Sequence, residues 1–316
     1  MGKTGRRTAD REAAQAERRE LIEKLERGFQ QVQESDAYRR YLDTVSRFHK
    51  YSISNTMLIW MQRPDATHVA GFHTWLSLGR HVRKGEKGIR IFAPMAYRKT
   101  VAITNDDTGD PDQEEISQLR FRAVSVFDVS QTEGAELPQP PVTHLSGGDT
   151  DLWQDLAAIA FAEGLSIDRK AGVGGIGGPN GFYYPAARVI WVDPGLAPAM
   201  ASKTLCHEIG HHFAEHIDTR QEHETIAESV AYIVLGHFGI DASNYSFGYL
   251  ADWSDAATFK AVLACIQAIA NRIIDSITER RVSRGRDLGA GLPVPGHGSG
   301  EAGVGRSPRP DLYSGL

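Results

Sequence analysis

The spacing of apolar residues predicts helices at both ends of the chain. Between Leu21 and Phe29 they recur at three- and four-residue intervals, the period of one helix face, so we expect a helix over residues 9–33. A second stripe of this kind predicts a helix over residues 36–48. The same periodicity predicts later helices over residues 150–163, 201–214, 222–238 and 255–281.

Strand patterns occur between the helical segments. Residues 89–93 and 120–129 alternate apolar and polar side chains, as half-buried strands do, and we expect them to pair antiparallel. The acidic stretch 101–119 between them is predicted to be an exposed loop. Two short runs, 182–184 and 188–192, are predicted to form a hairpin. Helices combined with antiparallel strands indicate an α+β fold.

A stretch rich in proline and glycine, residues 134–149, predicts a linker between two domains. The N-terminal domain should span residues 9–133 and combine helices with an antiparallel sheet, and the C-terminal domain should span residues 150–283. Residues 1–8 and 284–316 are dominated by small, polar and charged residues and are predicted to be disordered. The length of 316 residues fits two domains of roughly 150 residues each.

The charge of the chain is unevenly distributed. Residues 1–100 contain 20 Lys and Arg against 11 Asp and Glu, whereas the remainder contains 15 Lys and Arg against 29 Asp and Glu. The net charge of the whole chain is −5. A positive N-terminal part is suited to a polyanion, which the negative C-terminal part is not. Because the N-terminus is polar and no run approaches roughly 18 apolar residues, we expect a cytoplasmic protein without a membrane span. The two cysteines provide neither a disulfide framework nor a Cys-rich metal site.

Residues 207–211 carry the clearest chemistry, with the pattern His-Glu-x-x-His. On a helix, His207 and His211 lie on one face, where two imidazoles can occupy neighbouring corners of a tetrahedral Zn²⁺ site. Glu208 can then act as the general base that takes a proton from water, as in metallopeptidases. The competing interpretation is a helix whose histidines match this short pattern by chance.

A third protein ligand is expected on the next helix, which offers Glu224 and Glu228 one turn apart. We assign Glu224 as the ligand and Glu228 as the carboxylate that orients an imidazole N–H, although the sequence also allows the reverse assignment. The histidines His212, His216 and His223 are rival ligands. The group that would stabilise an oxyanion is not identified; Tyr183, Tyr184 and Tyr232 are candidates.

A basic loop, residues 80–87, follows a short segment with aromatic residues. Flat rings beside Arg and Lys side chains can hold single-stranded nucleic acid, because bases stack on the rings while the cations follow the phosphates. The competing interpretation is a solvated basic hairpin with Trp60 and Trp75 in the core. Composition alone does not decide between the two.

Several motifs in a fixed order resemble ArdC-type antirestriction proteins. In the N-terminal half they are residues 51–55 (Tyr-Ser-Ile-Ser-Asn), 71–75, 79–88 and 126–132. Residues 203–211 and 227–232 look like the zincin-type metallopeptidase domain that accompanies them. This chain has His223-Glu224 where members of the family often have two adjacent acids, which keeps His223 as a rival ligand.

The resemblance implies an N-terminal domain that binds single-stranded DNA, in a protein of mobile elements that protects incoming DNA from host defence. The implied DNA contacts are Asn55, Trp75, Arg80, Arg83, Lys84, Lys87 and Arg90. Two functions follow as hypotheses. One is a zinc endopeptidase that cleaves an unknown host protein, and the other is a DNA-binding module whose zincin domain has a structural or protein-interaction role without proteolysis.

Overall fold

The computed structural model describes residues 3–33, 35–104, 111–137, 150–171, 178–217, 219–240 and 256–289. They contain eight α-helices and eight strands, a mixture of helices and mainly antiparallel sheet that confirms the α+β class. The helices are α1 Lys3–Gln31, α2 Ser35–Arg47, α3 Ile53–Gln62, α4 Phe72–Ser77, α5 Thr150–Ala162, α6 Pro198–Phe213, α7 Arg220–His237 and α8 Ala256–Gly289. The strands are β1 Val69–Gly71, β2 Arg80–Val82, β3 Ile89–Thr104, β4 Pro111–Asp128, β5 Thr132–Gly134, β6 Ser166–Asp168, β7 Gly181–Tyr184 and β8 Val189–Val192.

Two compact units make up the described chain. One holds the residues up to 31 together with 51–137, and the other holds 32–50 together with the residues after 137. Helix α2 therefore belongs to the C-terminal unit, although the sequence predicted it within residues 9–133. Its apolar stripe packs on α7, where the Tyr38 hydroxyl lies 2.7 Å from the Ser229 hydroxyl. A helical period shows which face is apolar but does not identify the surface that covers it.

In the N-terminal unit, β1, β4 and β3 form one antiparallel sheet, and β2 pairs with β5. The predicted pairing of residues 89–93 with 120–129 is confirmed, since Ile89 lies opposite Val126. The ladder continues to Thr104 opposite Pro111, so most of the acidic stretch predicted as a loop is strand, while residues 105–110 lie outside the described residues. Backbone pairing satisfies the N–H and C=O groups of both strands without requiring an apolar pattern.

The free edge of β3 is covered by two amide side chains of α3. Asn55 donates through Nδ2 to the Phe92 carbonyl at 2.8 Å and accepts from the Phe92 N–H at 2.9 Å. Gln62 makes the same two bonds with Arg90, at 2.9 and 3.0 Å. Each amide thus replaces a residue of a neighbouring strand, which satisfies the unpaired edge groups and blocks pairing with another chain.

The C-terminal unit places a small sheet beside α6 and α7. Its strand order is β6-β8-β7, with β6 parallel and β7 antiparallel to β8, which confirms the predicted hairpin. Strand β6 was not predicted. Helix α6 starts with Pro198 in its first turn, where a backbone N–H has no partner within the helix and its absence costs nothing. The Thr219 hydroxyl caps α7 by accepting a hydrogen bond from the Glu222 N–H.

Both terminal helices extend further than the sequence predicted. Helix α1 begins at Lys3, within the segment predicted to be disordered, and α8 continues past residue 283 to Gly289. Charged and small residues such as Arg, Glu and Ala are good helix formers, so a helix can run on after its apolar stripe has ended. Residues 138–149 and 290–316, which hold most of the predicted linker and tail, lie outside the described residues.

Helix α8 is the long core helix of the C-terminal unit. Within the described residues, its segment Ala257–Arg284 is the one helix long and apolar enough to cross a membrane by length and composition. Half of the most apolar window is buried inside the protein, and Phe259, Ile266 and Ile273 are at most 1% exposed. Burial of this kind is typical of a core helix.

Candidate functional site

The predicted metal residues lie on two helices that cross at close range. Helix α6 carries the His-Glu-x-x-His residues, and α7 carries Glu224 and Glu228. At the crossing, a Cβ added to Gly210 would lie 3.0 Å from the Cα of Ala227. The absence of a side chain at Gly210 lets the two backbones approach, and this brings the carboxylates of α7 to the imidazoles of α6.

Three candidate ligand atoms converge at this crossing. The Nε2 atoms of His207 and His211 are 3.0 Å apart, and Glu224 Oε2 lies 3.6 Å from the first and 3.7 Å from the second. Ligands around a tetrahedral zinc ion at about 2.0–2.1 Å would be separated by roughly 3.3 Å. The observed separations bracket that value, so the donor set and its spacing fit zinc.

The Nδ1 atom of His207 faces a different carboxylate. Glu228 Oε2 lies 3.0 Å from it, and the other Glu228 oxygen accepts from Lys203 Nζ at 3.0 Å. A carboxylate can only accept, so Nδ1 of His207 carries a proton, and with a metal bound the Nε2 lone pair would coordinate it. The structure thus places Glu224 beside the Nε2 pair and Glu228 beside Nδ1.

The two facing Nε2 atoms need a cation or a proton between them, because two lone pairs at 3.0 Å repel. Burial lowers the pKa of His207, but its bonds to Glu224 and Glu228 outweigh this and raise the pKa to about 9. Burial and the neighbouring His207 lower the pKa of His211 to about 4. Without a metal, a proton between the two Nε2 atoms would relieve this repulsion, and the opposite pKa shifts of the two rings favour His207 as its carrier.

Glu208 is positioned as a base beside the candidate ligands. It is 5% exposed, and burial raises its pKa to about 7, with the charge of His207 opposing and that of Glu224 adding to the increase. The backbone of Tyr183 on β7 donates a hydrogen bond to it. A carboxylate with a pKa near neutrality is suited to proton transfer in both directions.

The rival histidines occupy different places. His212 Nδ1 is 2.9 Å from the Tyr183 hydroxyl, and His216 is exposed beyond the end of α6. His223 Nδ1 lies 3.0 Å from His211 Nδ1, with an angle of 16° between the two ring planes. His223 does not join the group formed by His207, His211 and Glu224, whose ligand atoms all lie within 4.8 Å of one another.

A cavity of about 610 Å³ opens in front of these residues. Phe182, Pro185 and Met200 form an apolar part of its wall. Arg220, from the first turn of α7, adds a cation to the lining. Arg220, which lies one helical turn before Glu224, was not among the site residues predicted from the sequence. Among the described strands, β7 lies at the edge of its sheet on this side. The Tyr183 N–H is bonded to Glu208, and an extended peptide can pair with the remainder of this edge.

Two of the three tyrosines considered as oxyanion stabilisers bond to other side chains through their hydroxyl groups. The Tyr183 hydroxyl bonds to His212 and Glu215, and burial together with the Glu215 bond raises its pKa to about 12. The Tyr232 hydroxyl is bonded to Asp43 at 2.6 Å. Tyr184 is exposed and does not line the cavity. These contacts leave the stabilising role unassigned among the tyrosines.

Two of the predicted DNA contacts are buried and were wrong as surface contacts. Asn55 is 4% exposed, and its amide is used entirely by the edge of β3. Trp75 is 2% exposed and donates through Nε1 to the Phe127 carbonyl at 2.9 Å. For Trp75 the competing interpretation of a core tryptophan was correct.

The predicted arginines bond to other residues of the protein, whereas the predicted lysines are exposed at the surface. The guanidinium group of Arg80 bonds to Thr132 and Ala135. That of Arg83 bonds to Glu86 and Ser130. That of Arg90 bonds to Ser125 and Glu17. Lys84 and Lys87 are exposed. Phe72 and Phe121, which were not among the predicted contacts, are 45% and 51% exposed and offer aromatic surface.

Known proteins resemble this chain to different extents. An uncharacterized protein of Bacillus anthracis is 25% identical to this chain over 249 residues. The aligned part covers 66% of this chain and 42% of that protein, so the chain spans less than half the length of this relative. Two crystal structures of the antirestriction ArdC protein from the R388 plasmid, one metal-free and one Mn(II)-bound, are each 20% identical. The metal-free structure gives a TM-score of 0.44, and the match covers 74% of this chain and 86% of the ArdC chain. The Mn(II)-bound structure gives a TM-score of 0.45, and the match covers 72% of this chain and 84% of the ArdC chain.

The N-terminal half also matches a family directly. Residues 11–127 fit the family model for the N-terminal domain of anti-restriction factor ArdC. They include α1 from Arg11 onward, the α3 helix and all of the β1-β4-β3 sheet except its last residue. Residues 11–127 of this chain are therefore identified as an ArdC-type N-terminal domain.

Proposed function

We propose that this ArdC-type protein is a zinc metalloendopeptidase that also binds single-stranded DNA and protects mobile DNA when it enters a host. The observation that carries the peptidase is the convergence of His207 Nε2, His211 Nε2 and Glu224 Oε2 within 3.0–3.7 Å of one another. Zinc bound by these atoms would supply a Lewis acid beside Glu208. Entering DNA and host defence proteins meet in the cytoplasm, which is the proposed location.

The residues around the site account for the remaining steps. A peptide pairs with the free edge of β7 and presents its carbonyl to the cavity. Glu208 takes a proton from a water molecule as the oxygen of that water attacks the carbonyl carbon. It then delivers this proton to the amide nitrogen as the C–N bond breaks, so the products are a carboxylic acid and an amine.

The test compares wild-type protein with Glu208→Gln, which keeps the size of the side chain but removes the base. We expect both proteins to bind one zinc ion and only the wild type to generate new N-termini when incubated with a host-cell proteome. Adding single-stranded DNA to parallel samples tests whether DNA directs the cleavage. Absence of stoichiometric zinc in the wild type, or identical cleavage products from both proteins, would disprove the peptidase.

A DNA-binding role without proteolysis is the second candidate, favoured by the match of residues 11–127 and by the exposed Lys84 and Lys87. Here the metal-centre domain is structural or binds another protein. Reversing both charges (Lys84→Glu with Lys87→Glu) should weaken oligonucleotide binding and reduce its dependence on salt, since fewer counterions are released. Unchanged affinity and salt slope would remove this loop from the DNA surface. Lys24→Glu on α1 provides a charge-matched control for one lysine.

A further inference from the structure

Each histidine of the proposed metal centre has a partner on its Nδ1 atom, and the two partners are different. His207 faces the Glu228 carboxylate at 3.0 Å, whereas His211 faces a second imidazole, that of His223, also at 3.0 Å. The His211 and His223 rings are nearly parallel, with centroids 5.3 Å apart and a 16° angle between the planes, and this separation fits rings that meet edge to edge through their Nδ1 atoms. His223 is held on α7 one residue before Glu224, so both residues reach the centre from the same helical turn.

The direction of the His211–His223 bond follows from the geometry. His211 directs Nε2 at His207 Nε2 and Glu224, the position where a metal would bind, and a coordinating Nε2 has no proton. The proton of His211 must then lie on Nδ1. His223 Nδ1, 3.0 Å away, accepts it, which places the His223 proton on its other nitrogen.

We propose that His223 is a positioning residue for the metal centre. It holds the His211 ring in the orientation and tautomer that direct Nε2 at the metal, as Glu228 does for His207. This inference rests on the proposed function only through metal binding and does not require proteolysis. His223 acts in place of a carboxylate, so the centre carries one anionic and one neutral partner behind its two imidazoles.

Zinc affinity at a fixed pH, measured by competition with a chromophoric chelator, provides the main test. His223→Leu removes the acceptor, and we expect affinity to fall about 10–100-fold, the usual effect of losing such a partner. His223→Glu supplies another acceptor and should restore most of that loss. His212→Leu removes a neighbouring imidazole of similar burial that does not contact the ligands, and its zinc affinity should be unchanged.

The His211 tautomer gives a readout that a purely structural role would not change. In zinc-loaded wild type, ¹⁵N spectra of histidine-labelled protein should show an Nδ1–H of His211 that is strongly hydrogen-bonded, and this signal should shift in His223→Leu. Thermal melting of each variant shows whether that variant is folded. If His223→Leu were unfolded, His223→Gln, whose side-chain oxygen is also an acceptor, should bind zinc more tightly than His223→Ala.

The outcomes separate this inference from the proposed function. Wild-type protein that binds no zinc overturns both. Wild-type zinc binding with His223→Leu of equal affinity overturns the role of His223 alone. If His223→Glu and His223→Leu lose affinity equally, with the His211 signal unchanged in both, then His223 does not act by accepting from His211 and the inference is wrong.

Discussion

The Gly210 position and the Cα of Ala227 are so close that a Cβ on Gly210 would lie 3.0 Å from that Cα and 3.4 Å from the Ala227 Cβ. Helices α6 and α7 therefore meet almost backbone to backbone at the level of the metal residues. Gly210→Ala must push them apart, and we expect a loss of about 1–3 kcal/mol in the free energy of unfolding. The same shift moves Glu224 away from the two Nε2 atoms and should weaken zinc binding.

Chemical denaturation and zinc competition measure these two effects. Gly236→Ala, on α7, is the matched control, because its Cβ would find only Ser46 atoms at 3.6–3.7 Å and alanine favours the helix. The control should be neutral or more stable by up to about 1 kcal/mol. Equal stability of Gly210→Ala and wild type would contradict the close crossing.

Removing each α7 carboxylate separately should show which of the two contributes more to zinc affinity. Glu224→Ala removes an atom that lies 3.6–3.7 Å from both Nε2 atoms, so zinc affinity should fall further than in Glu228→Ala. Glu228→Ala removes the acceptor behind His207, for which about 10–100-fold is expected. Calorimetric titration with zinc distinguishes them, and a larger loss in Glu228→Ala would show that the ligand assignment is reversed.

Acid should destabilise the C-terminal unit through His49. This residue is 7% exposed, and burial, followed by the nearby His237, lowers its pKa to about 4, against the opposing charge of Asp275. The unfolded chain takes up the proton below pH 6.5, whereas the folded protein takes it up only near pH 4. The stabilising contribution is therefore present above pH 6.5 and lost as the pH falls to 4.

Denaturation curves at several pH values test this expectation. The loss attributable to His49 should be on the order of 2–3 kcal/mol between pH 6.5 and 4. His49→Leu should show a shallower decline over this range, while His216→Leu, an exposed histidine, should follow the wild type. Parallel curves for His49→Leu and the wild type would rule out His49 as the source.

The amide of Asn55 should matter for folding rather than for DNA. Asn55→Leu leaves the N–H and C=O of Phe92 without partners at the edge of β3, which should cost about 1–3 kcal/mol for each buried group. At temperatures where the variant is folded, its affinity for single-stranded DNA should equal that of the wild type. A specific loss of DNA affinity with unchanged melting temperature would restore Asn55 as a contact.

Several features of this protein were determined by the sequence alone. The helical period of α6 requires His207 and His211 to share a face, and the alternation over residues 89–93 and 120–129 predicts the paired strand segments found there. These are local properties, set by 3.6 residues per turn or two residues per repeat, so they follow from the order of the residues. The resemblance to ArdC-type proteins was also visible in the order of the motifs.

The tertiary structure decided what those local elements face. The crossing of α6 and α7 sets Glu224 beside Nε2 and Glu228 beside Nδ1, a distinction that the equal helical spacing of the two carboxylates left open. Packing also moved α2 to the C-terminal unit and placed Asn55 against a sheet edge. Periodicity shows that a face is apolar or polar, but its partner depends on residues distant in the chain, and only the packed structure brings those together.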